Sequence, residues 1–262
     1  MSLATQPLLA VSGLTKRYGA MAAISDLDFT VEAGTVFGIT GPNGAGKTTL
    51  FDVISGVTPA SAGAISFGGD SLVGLKPQDV CHRGLVRTFQ LNAAFDTMTV
   101  EENALVSAYF GPANVTAAGL RFSRRAREAA ADALAAVGLE DYAQVKAIAL
   151  PVLQRKLLML ASAIACGPRL LMLDEPVGGL NARETDHCAA IIRTLVEERG
   201  VTIMVIEHVM RFMNAVADEV MILHHGRKLH QGPPASLAQN EEVVSVYLGS
   251  SGAEAFGEEA RP

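Results

Sequence analysis

The chain has 262 residues, a formal net charge of -6 and a pI near 5.5, a length sufficient for a full core and a balance that argues against nucleic acid as principal partner, since that binding rests on concentrated Lys and Arg. Its three cysteines, Cys81, Cys166 and Cys188, are odd in number and far apart in sequence, which argues against a disulfide scaffold and fits a reducing compartment. Apolar residues make up 49% and mean hydropathy is +0.28, yet the longest apolar stretch, 157–173, is broken by Gly167, Pro168 and Arg169, so no membrane span is expected.

At the start, residues 1–9 lack the basic, apolar and small-residue order of a secretion signal, so any service to a membrane is expected from the cytoplasmic side. Residues 8–37 alternate in short apolar stretches broken by Gly13, Gly19 and Gly34, the pattern of antiparallel strands. A compact apolar strand at 36–40 runs into a glycine-rich loop and a helix at 47–55, and 63–67 predicts another strand. Between about 99 and 166 strand signals fade, and 100–110, 124–137 and 153–166 predict helices. Fully apolar strands at 170–173 and 202–206 flank a helix at 182–199, the rhythm of a buried parallel sheet. A hairpin across 220–230, a helix at 242–248 and a polar tail at 249–262 complete the reading.

Gly41-Pro42-Asn43-Gly44-Ala45-Gly46-Lys47-Thr48 fits the phosphate-loop pattern between strand and helix. Glycines let backbone N–H groups crowd around phosphate oxygens, and the helix directs the positive end of its dipole at the same anion. Gly41, Asn43, Gly44, Ala45, Gly46, Lys47, Thr48 and Thr49 are the candidate nucleotide-binding residues. Lys47 would pair with the β- and γ-phosphates, and Thr48 would offer its hydroxyl to Mg2+. A glycine-rich turn before an ordinary helix is the blander alternative, which the flanking strand disfavours. Leu170-Leu171-Met172-Leu173-Asp174-Glu175 ends a buried strand in an acid pair, where ligands gather in parallel sheets. Asp174 would hold Mg2+ through water, and Glu175 would polarise the attacking water. A helix N-terminal acid pair favoured by the dipole is the competing explanation.

The order of these motifs resembles an ABC ATPase over about 8–248. The resemblance implies an α/β P-loop NTPase core with a mostly parallel sheet, an N-terminal antiparallel β subdomain and a helical subdomain. It divides a single 1–248 domain into a nucleotide-binding core at 8–98 and 167–248 and a helical subdomain at 99–166. It assigns Tyr18, in Lys16-Arg17-Tyr18-Gly19, to stacking on adenine, and Gln90, in Arg87-Thr88-Phe89-Gln90, to Mg2+ and the attacking water. His208, in Glu207-His208-Val209-Met210, matches the histidine that contacts the γ-phosphate, and Gly178-Gly179-Leu180-Asn181 matches a loop that crosses the dimer interface. ATP and Mg2+ are the implied cofactors.

One segment departs from the family. Leu150-Pro151-Val152-Leu153-Gln154 stands where Leu-Ser-Gly-Gly-Gln is usual, so the serine hydroxyl is gone, Val152 and Leu153 replace glycines, and Pro151 lacks an N–H. The expectation is a dimer with a second, different ATPase subunit that bears an intact signature. The glutamine loop, the Glu-His-Val-Met segment and the ending at 243–249 resemble importer subunits for branched-chain amino acids, with membrane permease subunits as partners and a peripheral place on the cytoplasmic face of the cell membrane. Phe89, Leu91, Phe95 and Met98 either receive a permease helix or belong to the helical core. A nucleotide-binding subunit with weak or no hydrolysis, and a soluble non-transport ABC ATPase, are the alternatives.

Overall fold

Leu9, Val11 and Leu14 are buried while Ser12 faces solvent, and this alternation produces β1 (Leu9–Tyr18), paired antiparallel with β2 (Met21–Val31). The structure is a computed structural model that describes residues 6–88, 94–111, 122–240, 243 and 245. Five consecutive buried residues form β3 (Val36–Thr40), followed by α1 (Lys47–Ile54), β4 (Ala62–Phe67) and β5 (Asp70–Ser71). Next come α2 (Pro77–His82), β6 (Leu85–Arg87), α3 (Val100–Phe110), α4 (Arg124–Ala136) and α5 (Val152–Ala165). The chain continues through β7 (Leu170–Asp174), α6 (Ala182–Arg199), β8 (Thr202–Ile206), α7 (Met210–Val216), β9 (Glu219–His224) and β10 (Arg227–Gly232). The short elements β5, α2, β6 and α7 are additions to the sequence reading. Of the helix expected at 242–248, Val243 and Ser245 are helical and the other positions lie outside the described residues, as does the tail at 249–262.

The chain forms two compact units, 1–77 with 204–262 and 78–203. In the first, β2, β1, β4 and β5 make an antiparallel sheet in that order. Beside β3 runs β9 in parallel, with β10 antiparallel to β9. At Gly38 in β3 a Cβ would lie 2.3 Å from Met213 Cε of α7, so a larger residue there would displace the end of that side chain. Glu207, just past β8, donates its N–H to Ile39 O at 3.2 Å, tying the end of β8 to the strand that opens the glycine-rich loop.

In the second unit β6 pairs in parallel with β7, Leu85 opposite Leu170 and Arg87 opposite Met172. Helices α3, α4 and α5 pack on one another. Thr99 caps α3 in a reciprocal box with Glu102, which satisfies two N–H groups that a helix start otherwise leaves open. The buried Asn103 amide closes the turn before that helix, accepting from Phe95 N–H at 2.7 Å and donating to Thr99 O at 2.8 Å. Among the described residues no helix is long and apolar enough to cross a membrane.

Candidate nucleotide site

The glycine-rich loop leaves β3 at Gly41, whose φ of 143° and whose environment both demand glycine: a Cβ would sit 2.0 Å from Leu223 O of β9. Gly46 caps α1 in the left-handed region, φ 104°, and a Cβ there would lie 2.5 Å from Ala23 O of β2. Gly44 differs. Its φ is 77°, but a Cβ would meet nothing within 4 Å, so the loop is held by strands on one side and open at Gly44. Left-handed glycines in such a loop allow backbone N–H groups to turn toward a bound anion. Lys47 Nζ donates to Gly41 O at 2.7 Å and Pro42 O at 3.1 Å, setting a positive charge across the loop. The turn between β9 and β10 braces it from behind, Gly226 donating to Ala45 O at 2.9 Å and accepting from Ser25 N–H at 2.8 Å.

Two further candidates belong to this unit. Tyr18, at the end of β1, is exposed, with Lys16 Nζ 4.7 Å from its ring centroid; Lys16 is itself anchored to Pro59 O at 2.9 Å. His208 leaves β8 with its side chain 61% exposed. Its backbone is fixed by the fully buried Glu207, whose carboxylate accepts from His208 N–H at 2.8 Å and Val209 N–H at 3.2 Å. A buried carboxyl group that takes two backbone donors holds the turn in one arrangement, and the imidazole projects from it.

The acid pair belongs to the second unit. All five residues of β7 are buried and Asp174 ends it. Its carboxylate meets the Arg87 guanidinium at 3.1 Å, with the two side chains 1% and 5% exposed. Glu175 follows at φ 51°, a left-handed conformation that costs a side-chain-bearing residue about 1 kcal/mol. Lys156 of α5 holds this turn, donating to Glu175 O at 2.9 Å. Thr88, Lys156, Asp174, Glu175 and Pro176 line one small cleft. Backbone strain kept in place by surrounding bonds is characteristic of functional turns.

Arg87 and Lys156 received no role from the sequence. Arg87 left one trace, a lone cation at the end of an apolar run, but its partner lies far along the chain. Gln90, with Phe89 and Leu91, lies outside the described residues. Asn181 caps α6, accepting from Glu184 N–H at 3.0 Å. In the departing segment Pro151 caps α5 without a side-chain bond and Val152 is 59% exposed.

The family described as ABC transporter matches residues 24–178. The high-affinity branched-chain amino acid transport ATP-binding protein BraF of Pseudomonas aeruginosa is 37% identical over 94% of this chain and 100% of its own length. The corresponding LivG protein of Salmonella typhimurium is 34% identical over the same shares. An ATP-binding cassette of an ABC transporter, solved in its ADP conformation, superposes with a TM-score of 0.85 at 27% identity, covering 94% of this chain and 100% of that one. On this footing the chain belongs to the ABC transporter family as one of its ATP-binding cassettes, an ATPase that takes ATP with Mg2+.

Proposed function

We propose that this chain works at the cytoplasmic face of the cell membrane and powers an importer for branched-chain amino acids or related small solutes, together with membrane permease subunits. The observation that carries the reading is the end-to-end similarity to two branched-chain amino acid transport ATP-binding proteins, at 37% and 34% identity. In this reading Gly41, Asn43, Gly44, Ala45, Gly46 and Thr49 cradle the phosphates, and Lys47 exchanges its carbonyl partners for β- and γ-phosphate oxygens. Tyr18 stacks on adenine and His208 reaches the γ-phosphate. Thr48, Asp174 and Gln90 are the residues that would hold Mg2+, which supplies positive charge against the phosphates. Glu175 orients and polarises the attacking water. The buried Asp174 at a strand end and the open face of Gly44 both suit MgATP. The division into a core at 8–98 and 167–248 and a helical subdomain at 99–166 is part of the same proposal. Purification from membranes under mild detergent tests it: permease subunits of a solute importer should accompany the chain, whereas a purely cytosolic complex contradicts it.

A second reading concerns the ATPase partner. The exposed Val152 and the N–H-less Pro151 at the start of α5 place bulk where the family presents glycine to a neighbouring subunit's nucleotide. The chain then pairs with a different ATPase subunit that bears an intact signature, leaving one competent and one impaired site. Alone it should bind ATP yet turn over slowly, and mixing with that partner should raise turnover. Robust, cooperative hydrolysis by the isolated chain contradicts this pairing.

A further inference from the structure

Cys81 and Cys166 are distant in sequence but are brought together by the pairing of β6 with β7. Cys81 lies in α2, four residues before Leu85, and Cys166 caps α5, four residues before Leu170; Leu85 and Leu170 are register partners. The turns between are pinned to each other, Arg169 and Leu170 both donating to Gly84 O at 2.8 and 3.1 Å. The two thiols are consequently brought within side-chain hydrogen-bonding reach of each other. Ser107 O at 3.3 Å and Ser162 O at 3.6 Å are further acceptors around Cys166. Both cysteines are free and only partly buried, whereas Cys188 is buried. Cys166 also lines a cavity of about 240 Å³ with Val86, Ser107 and Ser162, which opens the Cys166 side of the pair to small molecules.

We propose that Cys81 and Cys166 form an oxidation site, at which a peroxide converts the two thiols reversibly into an intrachain disulfide. The hydrogen bond from Cys166 lowers the Cys81 pKa to about 7, outweighing the opposing effect of burial, while the same contact and burial push Cys166 up. Cys81 is therefore the nucleophile, since the thiolate is the reactive form. Its sulfur attacks one peroxide oxygen; the S–O bond forms as the O–O bond breaks, and the departing hydroxide takes a proton to become water. Cys166 then attacks the sulfenic sulfur, the S–S bond forms as the S–O bond breaks, and the Cys166 proton leaves with the hydroxyl as a second water. Two thiols lose two electrons and the peroxide gains them. The bond joins the approaches to β6 and β7, the strands that carry Arg87 and Asp174, and a dithiol reductant reverses it.

The test treats the full chain with hydrogen peroxide at neutral pH under native conditions, blocks residual thiols with iodoacetamide and digests without reductant. Mass spectrometry should find the Cys81 and Cys166 peptides joined and Cys188 unlinked, with the link lost after dithiothreitol. In C166S, dimedone should label Cys81 as a trapped sulfenic acid. Without any variant, native alkylation of Cys81 should rise with a midpoint near pH 7, with Cys166 unreactive over the same range. Recovery of both cysteines as alkylated thiols after peroxide, a link to Cys188, or alkylation of Cys81 beginning only above pH 9 overturns the proposal.

Discussion

Arg87 Nη2 and Asp174 Oδ2 lie 3.1 Å apart with both side chains almost wholly withdrawn from water, so the acid at the end of β7 is paired with a cation from the neighbouring strand β6. Neither group would be tolerated there alone, because removing one member of a buried pair leaves an uncompensated charge and costs about 3–5 kcal/mol.

Arg87→Met should therefore lower the unfolding free energy by about 3 kcal/mol. Adding Asp174→Asn to it should cost less than the two single changes summed, by at least about 1 kcal/mol. Urea titrations of the four proteins measure this coupling; strict additivity would show that the contact does not hold the acid in place.

The glycine-rich loop predicts two different outcomes from one kind of substitution. Gly41→Ala forces a methyl to 2.0 Å from the Leu223 carbonyl oxygen, and backbone must move, so it should destabilise the protein by about 3 kcal/mol or prevent folding. Gly44→Ala meets no atom and pays only for its φ of 77°, about 1 kcal/mol. Its methyl would project into the cradle, so ATP affinity should fall by about tenfold or more, equivalent to roughly 1.4 kcal/mol. Thermal melts with calorimetric titration of ATP separate these cases; equal effects of both variants on folding would contradict the assignment of Gly44 to the open side.

Glu175 combines a strained backbone with a proposed role that needs its carboxylate. Glu175→Gly relieves the φ of 51° and should raise stability by up to about 1 kcal/mol, while ATP turnover is lost. Glu175→Gln keeps the strain and should match the parent protein in melting temperature. Loss of stability in the glycine variant would show that the side chain, rather than the turn, is what the fold requires.

Contiguous motifs made the sequence informative. The short buried strand β3, the glycines after it and Lys47 sit side by side, and the helices at 100–110, 124–137 and 182–199 carry their own caps, so these elements emerge from local chemistry. Elements too short to show a period escaped: β6 has three residues and α7 seven. The contacts that define the site's surroundings escaped for another reason. Arg87 finds Asp174, Lys156 finds Glu175 O and Cys81 finds Cys166 only after strands and helices pair. Nor could spacing reveal that Glu207, written beside the histidine of interest, is a fully buried carboxylate that fixes His208 and Val209 through their N–H groups.

Whether one nucleotide is served by both the lysine of the loop and the acid of β7 is tested most directly by ATP binding with and without Mg2+ in the parent chain, Lys47→Ala and Asp174→Asn, each checked for folding. Mg2+ should tighten ATP binding in the parent, Lys47→Ala should bind ATP at least about a hundredfold more weakly in either condition, a loss of roughly 2.7 kcal/mol, and Asp174→Asn should bind ATP but lose most of the Mg2+ enhancement. A folded Asp174→Asn protein with the full Mg2+ enhancement would contradict the account.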